Sequence, residues 1–295
     1  MQLRLTAALL ALAAGAAAVV LAALLLHATP GPVSSAPAPV ASSPAPPSPS
    51  AAFPAPPAGA IVFAREDGAN ALALAVSPSS VQVSVVGRQG TGLSGLSVSV
   101  DRAQATACGR GCYRAATHAR TLDVRVGTTR WIVHVPAARD ASGLVGRATR
   151  TWRALHSVAF SDRLGSDATH VVFSNWRAVA PDRIAYVVRG GYSSVIVGGR
   201  RWDRAPGGRW VESAQTVPVK QPVPVWQSAT DAHIVGETST TWRITFYDPG
   251  TPAWFAITLD KRTFHTLDMR MITTAHFMHE RYSAFDRAAG VLPPP

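Results

Sequence analysis

The sequence predicts a mostly β protein with α. An N-terminal transmembrane helix leads to a small β-sandwich, and then to an α+β curved antiparallel half-barrel with a helix packed on it. Three observations predict this order. An uncharged, almost wholly apolar run spans Leu5–Leu26. Short alternating strands without helices fill the stretch from Ile61 to Pro136. From Trp242 to Asp286, three alternating runs are joined by turn signals at Asp248-Pro249-Gly250 and Asp260-Lys261, which is the pattern of an antiparallel meander.

Taken in order, Leu5–Leu26 as a helix would reach roughly 33 Å, enough to cross a bilayer core. Arg4 flanks it on one side, and no charge follows until Arg65. The positive-inside bias then puts the N-terminus in the cytoplasm and the rest outside. The alternative is a cleaved signal peptide, whose apolar core is usually shorter. Residues 1–27 are thus an anchor or signal segment. The expected location is the cell membrane, single-pass, with the bulk of the chain extracytoplasmic. Residues 28–60 are rich in Pro, Ala and Ser, carry no charge and have Phe53 as their single aromatic. Such a composition buries no core and reads as an extended linker.

Residues 61–136 read as a small Ig-like β-sandwich. Inward positions alternate as Leu72/Leu74/Val76, Val81/Val83/Val85, Leu96/Val98/Val100, Leu122/Val124/Val126 and Trp131/Val133/Val135. Cys108-Gly109-Arg110-Gly111-Cys112 holds the only two cysteines. Two glycines permit a sharp reversal there, and an oxidising compartment favours a Cys108–Cys112 disulfide. The rivals are a redox pair or a thiolate metal site, and a redox pair would more typically be Cys-x-x-Cys at a helix start.

Residues 137–288 open with a helix. Asp140 is placed to cap it, and Leu144, Ala148, Trp152 and Leu155 form one apolar stripe. Arg147, Arg150 and Arg153 lie on another face and read as solvated. Strands follow on either side of Pro181-Asp182 and of the tight Gly198-Gly199 turn. The segment Val217–Trp226 contains Pro218, Pro222 and Pro224, which rules out a central strand and marks a long loop or lid. Residues 289–295 are expected to be a disordered tail.

Net charge is +11, with 28 basic and 17 acidic residues. Lys220 and Lys261 are the only lysines, and the arginines are scattered without a long run. Export and scatter together argue against nucleic acid as a partner.

Residues 137–288 resemble the superfamily of periplasmic lipoprotein carriers and mycobacterial lipid-binding lipoproteins (LolA/LppX-like). The residues that carry the resemblance are the helix Leu144–Leu155 and the segment Asn175–Ile184. Others are the hairpin Ile196–Trp202, the strand pair through Asp260–Thr263, and the closing strand His276–Asp286. It implies a curved half-barrel closed by helices over an apolar cavity. Residues 61–136 more loosely resemble small extracytoplasmic sandwich domains found near copper-resistance membrane proteins.

The chemistry expected is binding. Seven of the eight tryptophans fall after residue 150, a load suited to lining a wide apolar groove. The ligand-binding candidates are Trp152, Trp176, Tyr186, Trp202, Trp226, Phe255, Ile257, Met269 and Met271. The expected partners are a lipid or lipidated peptide, the membrane through the N-terminal helix, and an envelope protein. No cofactor is expected. One alternative is an envelope interaction or sensor module without ligand. Another is copper handling, because Met269, Met271 and Met278 lie beside His265, His276 and His279, soft ligands that suit Cu(I). Strand alternation would point His276 and His279 to opposite faces, which opposes a shared site. The glutamates Glu66, Glu212, Glu237 and Glu280 look too dispersed for an acid–base pair. No Walker loop, dinucleotide fingerprint or nucleophile elbow is present, so no enzyme is expected.

Overall fold

The computed structural model describes residues 54–274 and 276–295. The expected anchor or signal segment 1–27, and the linker up to residue 53, lie outside the described residues. The predicted fold class requires correction. The described residues form a mostly β protein with one helix and three sheets, and the second region is not α+β. Among them no helix is long and apolar enough to cross a membrane. The physical reason is periodicity. Only residues 142–154 sustain a helical stripe, and almost every other apolar run alternates with period two.

The first sheet contains β1 (Ile61–Asp67), β2 (Asn70–Ser77), β3 (Ser80–Val86), β6 (Thr106–Gly109) and β7 (Cys112–Ala116), in the order β1-β2-β3-β7-β6. The second contains β4 (Val98–Val100), β5 (Ala103–Gln104), β8 (Thr121–Val126) and β9 (Thr129–His134), in the order β5-β4-β8-β9. Leu72, Leu74, Val81 and Val83 meet Val98, Val100, Leu122 and Val124 between these two sheets. The Cys108–Cys112 disulfide closes the turn between β6 and β7, with Cα atoms 5.1 Å apart.

The third sheet has twelve strands and carries everything after residue 138. Its strands are β10 (Arg139–Asp140), β11 (Ser157–Gly165), β12 (Val171–Val179), β13 (Arg183–Val188), β14 (Ser193–Val197), β15 (Arg200–Arg204) and β16 (Val211–Ala214), with β17 (Thr230–Glu237), β18 (Thr241–Asp248), β19 (Ala253–Asp260), β20 (Thr266–Thr273) and β21 (His276–Ser283). The order is β10-β17-β18-β19-β20-β21-β11-β12-β13-β14-β15-β16, and every pairing between neighbours is antiparallel. β21, the last strand in sequence, pairs with β11, so the meander β17–β21 joins the meander β11–β16 edge to edge.

β2 is buried on both faces. Leu72, Leu74 and Val76 face the small sheet, while Ala71, Ala73 and Ala75 face Tyr247, Trp254, Ile272 and Phe277 of the large one. A row of alanines lets two sheets approach closely beneath bulky rings. The first sheet is therefore the middle layer of three. Ion pairs from Arg88 to Asp167 and from Arg163 to Glu66 flank this contact.

The helix α1 (Ser142–Ala154) lies on the opposite face of the large sheet. Its N-cap position is Ala141, and no side chain caps it. Asp140 instead accepts hydrogen bonds from the Ser142 hydroxyl and N–H. Val145, Ala148 and Trp152 pack on Ile244, Phe246, Phe255, Ile257, Leu259, Met269 and Met271. The tail is tied down as well. Val291 is buried against Ala185, Val195 and Trp202, and its carbonyl accepts from Arg183.

Candidate functional site

The helix covers only part of the inner face. Beside it, register aligns four rings across four strands. Tyr282 on β21 lies opposite Phe160 on β11, which lies opposite Trp176 on β12, which lies opposite Tyr186 on β13. Phe160 and Trp176 stack at 5.7 Å between centroids, and Trp176 and Tyr186 at 4.2 Å. Trp152 of α1 meets the edge of Tyr282 at 4.9 Å and donates its indole N–H to the Thr266 hydroxyl. Cross-strand rings on one sheet face form such rows because inward side chains recur every second residue.

One register step along, two carboxyls sit opposite each other. Asp162 on β11 pairs with Glu280 on β21, and Glu280 in turn lies opposite Met269 on β20. Both belong to the inward set, and both are buried, at 8% and 4% exposure. Tyr282 donates its hydroxyl to Glu280 Oε2. Ser174 donates to Asp162 Oδ2 at 3.4 Å, and Trp176 donates to the Ser174 hydroxyl at 2.6 Å. Asp162 Oδ1 is buried and has no hydrogen-bond partner among the described residues.

Burial pushes the Asp162 carboxyl up to about 7, against smaller opposing effects from Ser174 and Arg163. Burial pushes Glu280 up to about 8, and the neighbouring Asp162 charge adds to this while the Tyr282 hydrogen bond opposes it. Two carboxyls this close in an apolar setting disfavour double ionisation. Burial also raises the Tyr282 hydroxyl well above its ordinary range.

Trp152, Phe160, Trp176 and Tyr282, the carboxyl pair, Leu164, Ile184 and Met278 line a cleft of about 40 Å³. Its remaining wall is the proline-rich segment, through Gln221, Val223 and Val225. That segment crosses the face as a loop between β16 and β17. Val219 anchors one end against Trp176, Ile184 and Ile196. Trp226 anchors the other by packing on Phe246 and Phe255 and donating to the Thr149 hydroxyl at 2.9 Å.

Of the sequence candidates, Trp152 and Trp176 line this cleft, and Tyr186 stacks directly behind Trp176. Phe255, Ile257, Met269 and Met271 lie in the packed cluster beneath α1, and Trp226 seals that cluster. Trp202 is on the other face of the sheet, because its register partner Val195 shares a cluster with Ala185 and Val291. His276 and Met278 fall in the same alternation set as Glu280, whereas His279 falls in the other and pairs with Asp268 at 2.7 Å. Among the described residues no three His, Cys, Asp or Glu groups come together as a metal site.

Sequence reasoning missed Asp162 and Glu280. The available signal was Glu280 at an inward position between Met278 and Tyr282 in β21.

The outer face of the same strands is different. Ala159, Ser161, Asn175, Arg177, Ala185, Arg281 and Ser283 lie around a shallow groove of about 430 Å³.

No family model matches the chain, and no curated protein matches it. Among solved structures, a LolA superfamily protein from Nitrosomonas europaea matches 52% of this chain and 96% of its own length, at 8% identity and a TM-score of 0.24. A likeness that slight carries neither a fold assignment nor a ligand.

Proposed function

We propose that this protein is a binding protein that holds an apolar or amphipathic ligand in the cleft between the ring row and the proline-rich loop. The observation that carries the reading is the buried Asp162–Glu280 pair, with an unpartnered oxygen, inside an aromatic-walled cleft. A buried polar atom without a partner costs about 1–3 kcal/mol. Groups held at such cost beside a concave apolar surface are characteristic of ligand sites. A chain-bearing ligand such as a lipid or lipidated peptide is the form proposed. The loop at 217–226 would withdraw to admit it, since Val217 and Val223 are exposed on that loop. The role is holding, not turnover. We place the folded part outside the cytoplasm, the setting that favours a short-range disulfide such as Cys108–Cys112.

The test is gentle extraction followed by mass spectrometry of whatever co-purifies, with uptake of a fluorescent acyl-chain probe as the second arm. A co-purifying lipid or saturable uptake is expected. A protein that emerges empty and takes up no probe overturns the reading.

A second reading is an interaction module without ligand. The free volume of about 40 Å³ favours it, since that is room for roughly three waters. The outer groove with Arg177 and Arg281 would then be the contact face. Failure of both arms above selects this reading.

A further inference from the structure

The identity of the ligand's head group follows from what the cleft already contains. Its lining offers two carboxyls and no Arg or Lys. The neighbouring Arg163 turns its guanidinium away to Glu66, at 3.0 Å. An anionic or zwitterionic head would therefore bury a negative group without a counter-charge, next to two acids. The free volume of about 40 Å³ suits a head the size of a few waters. Asp162 Oδ1 is a buried acceptor awaiting a donor. Tyr282, Phe160 and Trp176 present ring surface around it, and ring faces attract cations.

We propose that the cleft takes the primary ammonium head of a long-chain amine, with Asp162 and Glu280 as its acceptors and its hydrocarbon chain running out beneath Val223 and Val225. The proposal rests on the reading of the cleft as a ligand site. The ammonium supplies three donors and one positive charge to a site holding an unsatisfied oxygen and two carboxyls. The groups that face the pair are Tyr282 from β21, Ser174 from β12, Trp152 from α1 and Gln221 from the loop. None of these carries a charge at neutral pH.

The experiment uses the full chain and two probes of equal length, n-octylamine and n-octanol, titrated by calorimetry at about pH 6 and about pH 8.5. The amine is charged throughout that range. The expected result is a preference for the amine of at least about tenfold at the higher pH, shrinking at the lower one as the pair takes up protons. Asp162→Asn and Glu280→Gln should each remove most of that preference. Thermal unfolding of both variants checks that they are folded, and a Tyr282→Phe variant provides a further, milder perturbation of Glu280. Equal binding of amine and alcohol, or a preference that survives both substitutions, overturns the ammonium assignment while the cleft reading stands. Binding of neither probe overturns both.

Discussion

The inner face of the twelve-stranded sheet has two halves that obey the same alternation and end differently. Under α1, the residues Phe246, Phe255, Ile257, Leu259, Met269 and Met271 are sealed, each at 2% exposure or less. From β21 onward, the inward positions include a row of rings and two acids, and a loop covers them where the helix no longer reaches. The first half shows what filling looks like. Methionines and a phenylalanine stack take up the space between helix and sheet, with Phe246 and Phe255 parallel at 5.1 Å. The second half departs from it by placing two carboxyls where the pattern asks for apolar residues. The difference between them separates residues that support the fold from residues that act on something else.

The largest effect should come from the filled half. Phe255→Ala removes a fully buried ring, and such truncations cost about 3–5 kcal/mol. Denaturant unfolding should show that loss, and a cost under about 1 kcal/mol would mean that this half is not packed as described.

The open half should respond in the opposite direction. Asp162 and Glu280 bind protons more tightly folded than unfolded, with values of about 7 and about 8 against ordinary ones near 4. The pair's own contribution to folding stability is therefore full below about pH 4, falls as pH rises, and levels off above about pH 8. Glu280→Gln should flatten that fall and raise stability at pH 8.5 by roughly 1–3 kcal/mol, the usual scale for relieving an unsatisfied buried polar group. Unfolding curves taken at about pH 5 and pH 8.5 check it. A variant less stable than wild type at the higher pH would mean that the carboxylate is structural.

A smaller effect is expected from the sandwich. Replacing Cys108 and Cys112 with serine opens a short loop, four residues apart in sequence, and should cost about 2 kcal/mol. It should leave the pH dependence of the cleft unchanged. If the cleft titration moved with it, the three layers would be coupled more tightly than the alanine face of β2 implies.

Much of the strand pattern was legible because period-two alternation is a local signal. The runs at 72–76, 81–85, 122–126 and 242–247 fall within observed strands, and the proline-rich segment is the loop it was expected to be. The expected α+β class failed because one amphipathic helix does not reveal how little of a twelve-stranded sheet it covers. The site was less legible. Trp202 and Trp176 look alike in sequence, yet register sends them to opposite faces. Asp162 and Glu280 are far apart along the chain and become neighbours only because β21 returns to pair with β11, a long-range contact that no local pattern encodes.

The most direct measurement follows the methyl resonances of Met278, Met269 and Met271 by NMR while n-octylamine is titrated into the full chain. Met278 lines the cleft, whereas Met269 and Met271 sit in the sealed half. A saturable shift at Met278, with the other two nearly still, is the predicted result. No shift at any of the three, or equal shifts at all of them, would contradict the account.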